Sequence, residues 1–274
     1  MSKTLVSRFD KSIIPTLPRA VFEGRIIVIQ SELEAKKAVR FLLSQPILGF
    51  DTETRPNFRK GGMNKVALLQ VSCYDTCFLF RLNQMGLPQC LLDLLASTDV
   101  QKIGLSWHDD VTQLRRRNEE VVSEGFLELQ TYSSEFGITD MSLAKLYANV
   151  FGQKISKTQQ LSNWEADVLS EAQKQYAATD AWACIRLYEE LHRLEESGDY
   201  TLEVIPEPEP PQRPEGEAPK ADKPKPKRRK KSGRKKPVAA ADNSATPKAA
   251  TRRKKPIRKK KTDKHVQEPT TQEG

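Results

Sequence analysis

The sequence predicts an α/β domain, a mixed β-sheet flanked by α-helices, followed by a basic tail without a core of its own. Three observations lead there. Apolar runs of strand length crowd the first part of the chain, and strand and helix patterns then alternate, as in a sheet with helices packed on it. A helix-period stretch of unusual length follows, from Glu171 to about Glu196. After Ile205 the composition changes abruptly to Pro, Ala, Lys, Arg and Thr.

The elements follow in order. Arg25 to Ile29 is a short apolar strand. Ser31 with Glu34 forms a capping-box pattern that opens a helix, which runs through Ala38, Phe41 and Leu42 until Pro46 ends it. Ile47-Leu48-Gly49-Phe50 begins a strand that ends on Asp51-Thr52-Glu53, and the polar segment Arg55 to Asn64, with Pro56, Gly61 and Gly62, is a loop. Lys65–Cys73 and Thr76–Leu82 are strands joined by a tight turn at Tyr74-Asp75. Gln89 to Ser97 is a helix, Lys102 to Leu105 a buried strand, and about Asp109 to Arg117 a helix. A strand near Phe126–Gln130 and a helix near Ser142–Phe151 precede the long final helix, which ends at Ser197-Gly198. The division is a 1–19 extension, a 20–200 domain and a 201–274 tail.

The formal charge of +9 is unevenly spread over the 274 residues. Residues 206–274 carry 22 Lys+Arg against 9 Asp+Glu, a net of +13, which leaves 23 against 27 and a net of −4 for the body. The tail has too little apolar surface to offset the entropy of ordering it, so disorder is expected. Its clusters, Lys223–Lys236 and Arg252–Lys264, suit salt-dependent, sequence-blind binding of a phosphate backbone, and also match a nuclear localisation signal. Cys73, Cys77, Cys90 and Cys184 form no CxxC pair and no zinc-ligand series, and each falls in an apolar stretch. A reducing compartment fits. No segment reaches the ~20 apolar residues of a membrane span, and Met1–Pro18 lacks a signal-peptide core. An intracellular protein is expected, cytoplasmic if bacterial and nuclear if eukaryotic.

The chemistry concentrates in three places. Side chains alternate along a strand, so Asp51 and Glu53 share one face. Two anions there suit a hard divalent cation, and they also suit a solvated turn. On the long helix, Tyr176 and Asp180 are spaced i, i+4 and share a face with Ala177, Ala178 and Ala181, residues small enough for close approach to a neighbour. Between them, Lys102-Ile-Gly-Leu-Ser-Trp-His-Asp109-Asp110 runs from strand to helix, where either aspartate can complete a site or cap the helix.

These motifs resemble the tyrosine-containing branch of the DEDD 3′–5′ exonuclease superfamily, and within it the Werner-type exonuclease domains and, more distantly, ribonuclease D. The first motif is matched by Gly49-Phe-Asp51-Thr-Glu53, followed by the hairpin sequence Lys65-Val-Ala-Leu-Leu-Gln-Val. The second is matched by Lys102-Ile-Gly through Asp110-Val-Thr-Gln-Leu114, and the third by Leu161-Ser-Asn-Trp164 and Gln173-Lys-Gln-Tyr176-Ala-Ala-Thr-Asp180. The resemblance covers roughly residues 20–195, and its three motifs in order make it specific. His108 departs from the pattern, and a basic tail stands where relatives carry a helical nucleic-acid-binding domain or a helicase.

The resemblance implies a ribonuclease H-like fold and two-metal hydrolysis of a phosphodiester, with two Mg²⁺ or Mn²⁺ ions roughly 3.5–4 Å apart. Asp51, Glu53, Asp110 and Asp180 are the implied metal ligands, Asp51 bridging both ions, with Asp109 the alternative to Asp110. Tyr176 orients the attacking water; a phenol near its usual pKa is a poor base at neutral pH. The substrate is DNA or RNA, cleaved from its 3′ end to nucleoside 5′-monophosphates. Arg55, Arg59, Lys60 and Lys65, just after the first motif, are candidates to guide the strand. Trp164 is expected to anchor the core. The competing function is a nucleic-acid-binding adaptor on a degenerate nuclease fold, acting through the tail.

Overall fold

The computed structural model describes residues 2–57 and 64–206. Arg59 and Lys60, and the tail from residue 207, lie outside the described residues. A six-stranded mixed sheet forms the centre, built from β2 (Arg25–Ile29), β3 (Ile47–Thr54), β4 (Val66–Ser72), β5 (Thr76–Phe80), β6 (Gln101–Gly104) and β7 (Phe126–Glu128), with β1 being Lys3–Val6 outside it. Its order is β2-β5-β4-β3-β6-β7. Only β4 runs against the others, pairing antiparallel with β3 and β5, while β2–β5, β3–β6 and β6–β7 are parallel.

Helices cover both faces. On one lie α1 (Glu32–Leu42), the short α2 (Leu82–Met85), α3 (Gln89–Ala96) and α4 (Trp107–Arg115), packed over Leu48, Phe50, Leu69 and Val71. On the other lie α5 (Leu129–Glu135), α6 (Leu143–Phe151) and α7 (Glu171–Ser197). The expected capping box at Ser31 and Glu34 is present, and α7 opens with a second one at Ser170 and Gln173. Among the described residues, no helix is long and apolar enough to cross a membrane. Cys73, Cys77 and Cys184 are buried thiols and Cys90 is half-buried.

Four local features differ from the sequence expectation. The strand expected over Thr76–Leu82 ends at Phe80, and Leu82 opens the short α2. The strand expected to reach Gln130 stops at Glu128, whose side chain accepts the Gln130 N–H (3.1 Å) and starts α5 at once. Helix α4 begins at Trp107, two residues early, because Ser106 takes a left-handed conformation that turns the chain sharply out of β6. A further two-stranded parallel sheet pairs β1 with β8 (Tyr200–Glu203), Leu5 opposite Leu202. Asn149 on α6 holds β1 there, donating to the Val6 carbonyl (2.7 Å) and accepting its N–H (3.0 Å). Residues at the two ends of the described chain thus close over α6 and α7, a contact that four-residue strands almost two hundred positions apart give no pattern to announce.

Candidate active site

The site forms where α7 lies directly on β3. Gly49 makes that approach possible: a Cβ there would stand 2.0 Å from the Ala181 carbonyl oxygen and 3.0 Å from Ile185. Ala177, Ala178 and Ala181 are fully buried on the facing side of α7. Gly49, Asp51 and Glu53 alternate onto this face of β3, so the contact that admits α7 also delivers Asp180 to the two strand carboxylates. One carboxylate oxygen from each of Asp51, Glu53 and Asp180 lies within 4.8 Å of the others.

Asp110 arrives from the opposite face of the sheet. It sits on the first turn of α4, half-buried, and accepts a short hydrogen bond (2.5 Å) from the Thr52 hydroxyl, between Asp51 and Glu53 on β3. Asp109 and His108, one and two positions earlier, are exposed. Asp51 and Glu53 thus lie on β3 just past the carboxyl end of its parallel neighbour β6, with Asp180 beside them and Asp110 joined through Thr52, close to where open α/β sheets commonly bind ligands.

Their electrostatics are those of a crowded anion cluster. Burial, then the neighbouring carboxylates, raise Asp51, Glu53 and Asp110 well above the ordinary carboxylate range. Asp180 is raised by burial, against the opposing pull of the Tyr176 hydroxyl and of Lys157. Its Oδ1 is buried without a hydrogen-bond partner. An unpaired buried carboxylate oxygen is costly. An all-oxygen donor set with an orphaned oxygen is what a hard divalent cation satisfies, so the residues fit the metal that the family implies.

Tyr176 is buried on α7 one turn before Asp180, with its hydroxyl in the field of that carboxylate. Burial and the surrounding carboxylates push its hydroxyl far above its ordinary pKa. That direction favours the protonated hydroxyl, which can donate a hydrogen bond. Trp164 is fully buried and packs against the Tyr176 ring (centroids 5.9 Å apart), holding the phenol from behind. Tyr176→Phe is expected to lower kcat about 10- to 100-fold with little change in KM, because a mispositioned nucleophile slows chemistry more than binding. Steady-state kinetics on a short oligonucleotide check this.

Asp51, Glu53, Asp180 and Tyr176 open onto a cleft of about 290 Å³ bounded by Leu105, Ser142, Ile155, Lys157 and Gln160. Of the cations proposed from sequence, the two described ones, Arg55 and Lys65, are not in this wall. Arg55 is exposed and pairs with Glu165 (3.3 Å), and Lys65 is exposed just before β4. Among the described residues, the cation lining the cleft is Lys157. Sequence reading missed it, and its only signal was a lone basic residue in the polar segment before Leu161-Ser-Asn-Trp164.

The fold and site place the chain among α/β domains with a buried carboxylate cluster able to hold a metal ion. The chain matches the family model for a 3′–5′ exonuclease over residues 26–195. It belongs to that 3′–5′ exonuclease family. It is 34% identical over 154 residues to the bifunctional 3′–5′ exonuclease/ATP-dependent helicase WRN of Mus musculus, covering 54% of this chain and 11% of that protein. It is 30% identical over 194 residues to a 3′–5′ exonuclease of Arabidopsis thaliana, covering 65% of this chain and 67% of that one. The chain thus spans a small fraction of the mouse protein's length and two thirds of the plant protein's. The Nibbler exonuclease domain of Aedes aegypti superposes with a TM-score of 0.58 at 21% identity, over 69% of this chain and 92% of that one. RNase D of Escherichia coli superposes at 0.56 and 18% identity, over 64% and 46%. These two likenesses show the shared fold.

Proposed function

We propose that this domain removes nucleotides one at a time from the 3′ end of a DNA or RNA strand, releasing nucleoside 5′-monophosphates. The observation that carries the reading is the meeting of Asp51, Glu53 and Asp180, with Asp110 beside them, around an unsatisfied carboxylate oxygen. These four acids would hold two divalent cations, Mg²⁺ or Mn²⁺. Bound there, such ions supply an activated water and stabilise charge on the attacking and leaving oxygens. Asp180 orients the Tyr176 hydroxyl, and Tyr176 in turn fixes a water facing the scissile phosphate. Lys157, at the rim, meets the phosphate backbone as it enters. Glu165 pairs with Arg55 outside the cleft wall, so Arg55 and Lys65 serve the strand farther from the reacting phosphate, and Arg59 and Lys60, which lie outside the described residues, are proposed to contact the strand as well.

The catalytic unit corresponds to residues 20–200, with β1 closing it through β8. The tail that follows β8 is an accessory whose cations add salt-dependent affinity for any phosphate backbone. An adaptor that only binds nucleic acid has no use for four acids buried together, because their repulsion costs stability and weakens polyanion binding.

Matched DNA and RNA oligonucleotides, labelled at the 5′ end, test the reading with the full chain under Mg²⁺, Mn²⁺ or chelator. The expected result is a ladder shortening from the 3′ end, with mononucleotide product, only when metal is present. Comparison of the two ladders assigns the sugar preference. Intact substrates of both kinds in the presence of metal, or internal cleavage, would overturn it.

A further inference from the structure

The left-handed Ser106 is the only non-glycine residue with positive φ among the described residues (φ 57°). Such a conformation is disfavoured when a Cβ is present. It turns β6 into α4, and Asp110 stands on the first turn after it. Ser106 offers no side-chain cap to the helix it begins. The cap comes from across the sheet. Glu128, opposite Gly104 in the β6–β7 pairing, accepts the Ser106 N–H on Oε1 (2.8 Å) and the Trp107 N–H on Oε2 (2.7 Å). Oε1 also takes the Gln130 N–H (3.1 Å). Gln130 completes the clasp, donating from Nε2 to Ser106 Oγ and to the Met141 carbonyl (2.7 Å).

Glu128 is thus a fifth acid near the site that does not join it. Both of its oxygens are engaged by backbone N–H groups at the positive end of α4, a strong charge-assisted arrangement. The Trp107 ring, stacked on Phe126 at 4.4 Å, anchors the same turn from the core side. The angle at which α4 leaves the sheet, and so the place of Asp110 beside Asp51, depends on this clasp.

We propose that Glu128 is a positioning residue for the metal centre: it holds the strained Ser106 turn, and through it sets Asp110 for cation binding. This rests on Asp110 being a metal ligand. Groups that orient metal ligands without touching the ion commonly contribute 10- to 100-fold to affinity. The test is Mn²⁺ binding to the full chain, followed by the electron paramagnetic resonance signal of free Mn²⁺, with thermal melts alongside. Glu128→Ala is expected to bind Mn²⁺ about 10-fold more weakly at its weaker site while melting cooperatively. Glu128→Gln keeps the volume and one acceptor, and is expected to lose about half as much on a logarithmic scale; it also serves if the alanine variant does not fold. Glycine adopts positive φ without strain. Adding Ser106→Gly to Glu128→Ala should therefore recover at least about three-fold of the lost affinity, which a purely structural role for Glu128 would not give.

Mn²⁺ binding within two-fold of the unsubstituted chain in both Glu128 variants would overturn the proposal, as would no recovery in the double variant. Asp110→Asn separates the two levels. Normal binding in that variant overturns the assignment of Asp110 and this proposal with it. Lost binding there, with none lost at Glu128, overturns the clasp alone.

Discussion

Asp51→Asn is expected to lower the rate of 3′-end hydrolysis by at least about 10³-fold, while raising the melting temperature of the metal-free protein at neutral pH. The two effects have one origin. Asp51 belongs to the acidic cluster, and removing a group proposed to hold the metal should forfeit several kcal/mol of transition-state stabilisation, each ~1.4 kcal/mol being tenfold in rate. Without metal, the same carboxylate is a liability. Burial and Asp180 hold its pKa at about 8, against 3.8 for the free group. Between those values the native state retains a proton that the unfolded chain has released. Stability therefore falls as pH rises through that window, the opposite of an aspartate in an ion pair. The asparagine variant carries no such penalty, so its advantage in melting temperature should be absent below about pH 4 and grow to a few degrees by pH 8. Added Mn²⁺ should reverse the order, since it stabilises only the protein that binds it. Melts across pH, with and without Mn²⁺, read both signs. An asparagine variant that digests normally would remove Asp51 from the mechanism.

Gly49→Ala is expected to cost about 3 kcal/mol and most of the activity, although the substitution adds one methyl group and touches no acid. The new Cβ would meet the Ala181 carbonyl oxygen at 2.0 Å. That atom is helix backbone and cannot rotate aside, so α7 must lift from β3 as a body. Overpacking of this kind costs about 1–3 kcal/mol where side chains can adjust, and this contact has no side chain to yield. For a domain of this size, the melting temperature should drop by roughly 6–12 °C. Because Asp180 and Tyr176 ride on the displaced segment, kcat should fall at least about tenfold in protein that is still folded at the assay temperature. Calorimetry and kinetics on the same preparation check this, and Gly49→Ala with an unchanged melting temperature would refute the tight β3–α7 contact.

The parts of this site that could be read from sequence are those carried by short spacings. Asp51 and Glu53 share a face because strand side chains alternate, and Tyr176 and Asp180 because a helix returns after about one turn. The run of alanines on α7 foretold a close neighbour, and Gly49 is the other half of that contact. The phase of α4 was not local. Whether Asp109 or Asp110 turns inward depends on the left-handed Ser106, and that turn is held by Glu128, twenty-two residues later and on another strand. Nothing in Lys102–Leu114 alone encodes it. The strand read over Phe126–Gln130 overran by two residues for a related reason: Phe126–Glu128 is a strand, but Glu128 caps the next helix with its own side chain. Arg55 was placed by proximity in sequence to the first motif, and the fold instead gives it Glu165 as a partner, 110 positions away. The cation at the cleft, Lys157, lies in a polar segment with no periodicity to mark it.

Anomalous diffraction at the manganese edge, from crystals of the protein grown with Mn²⁺, tests the central claim most directly. The account predicts two anomalous peaks, both within coordination distance of Asp51, one shared with Glu53 and Asp180 and the other with Asp110. Crystals in which these four carboxylates face one another with no anomalous density between them, while the same preparation digests a 3′ end, would contradict it.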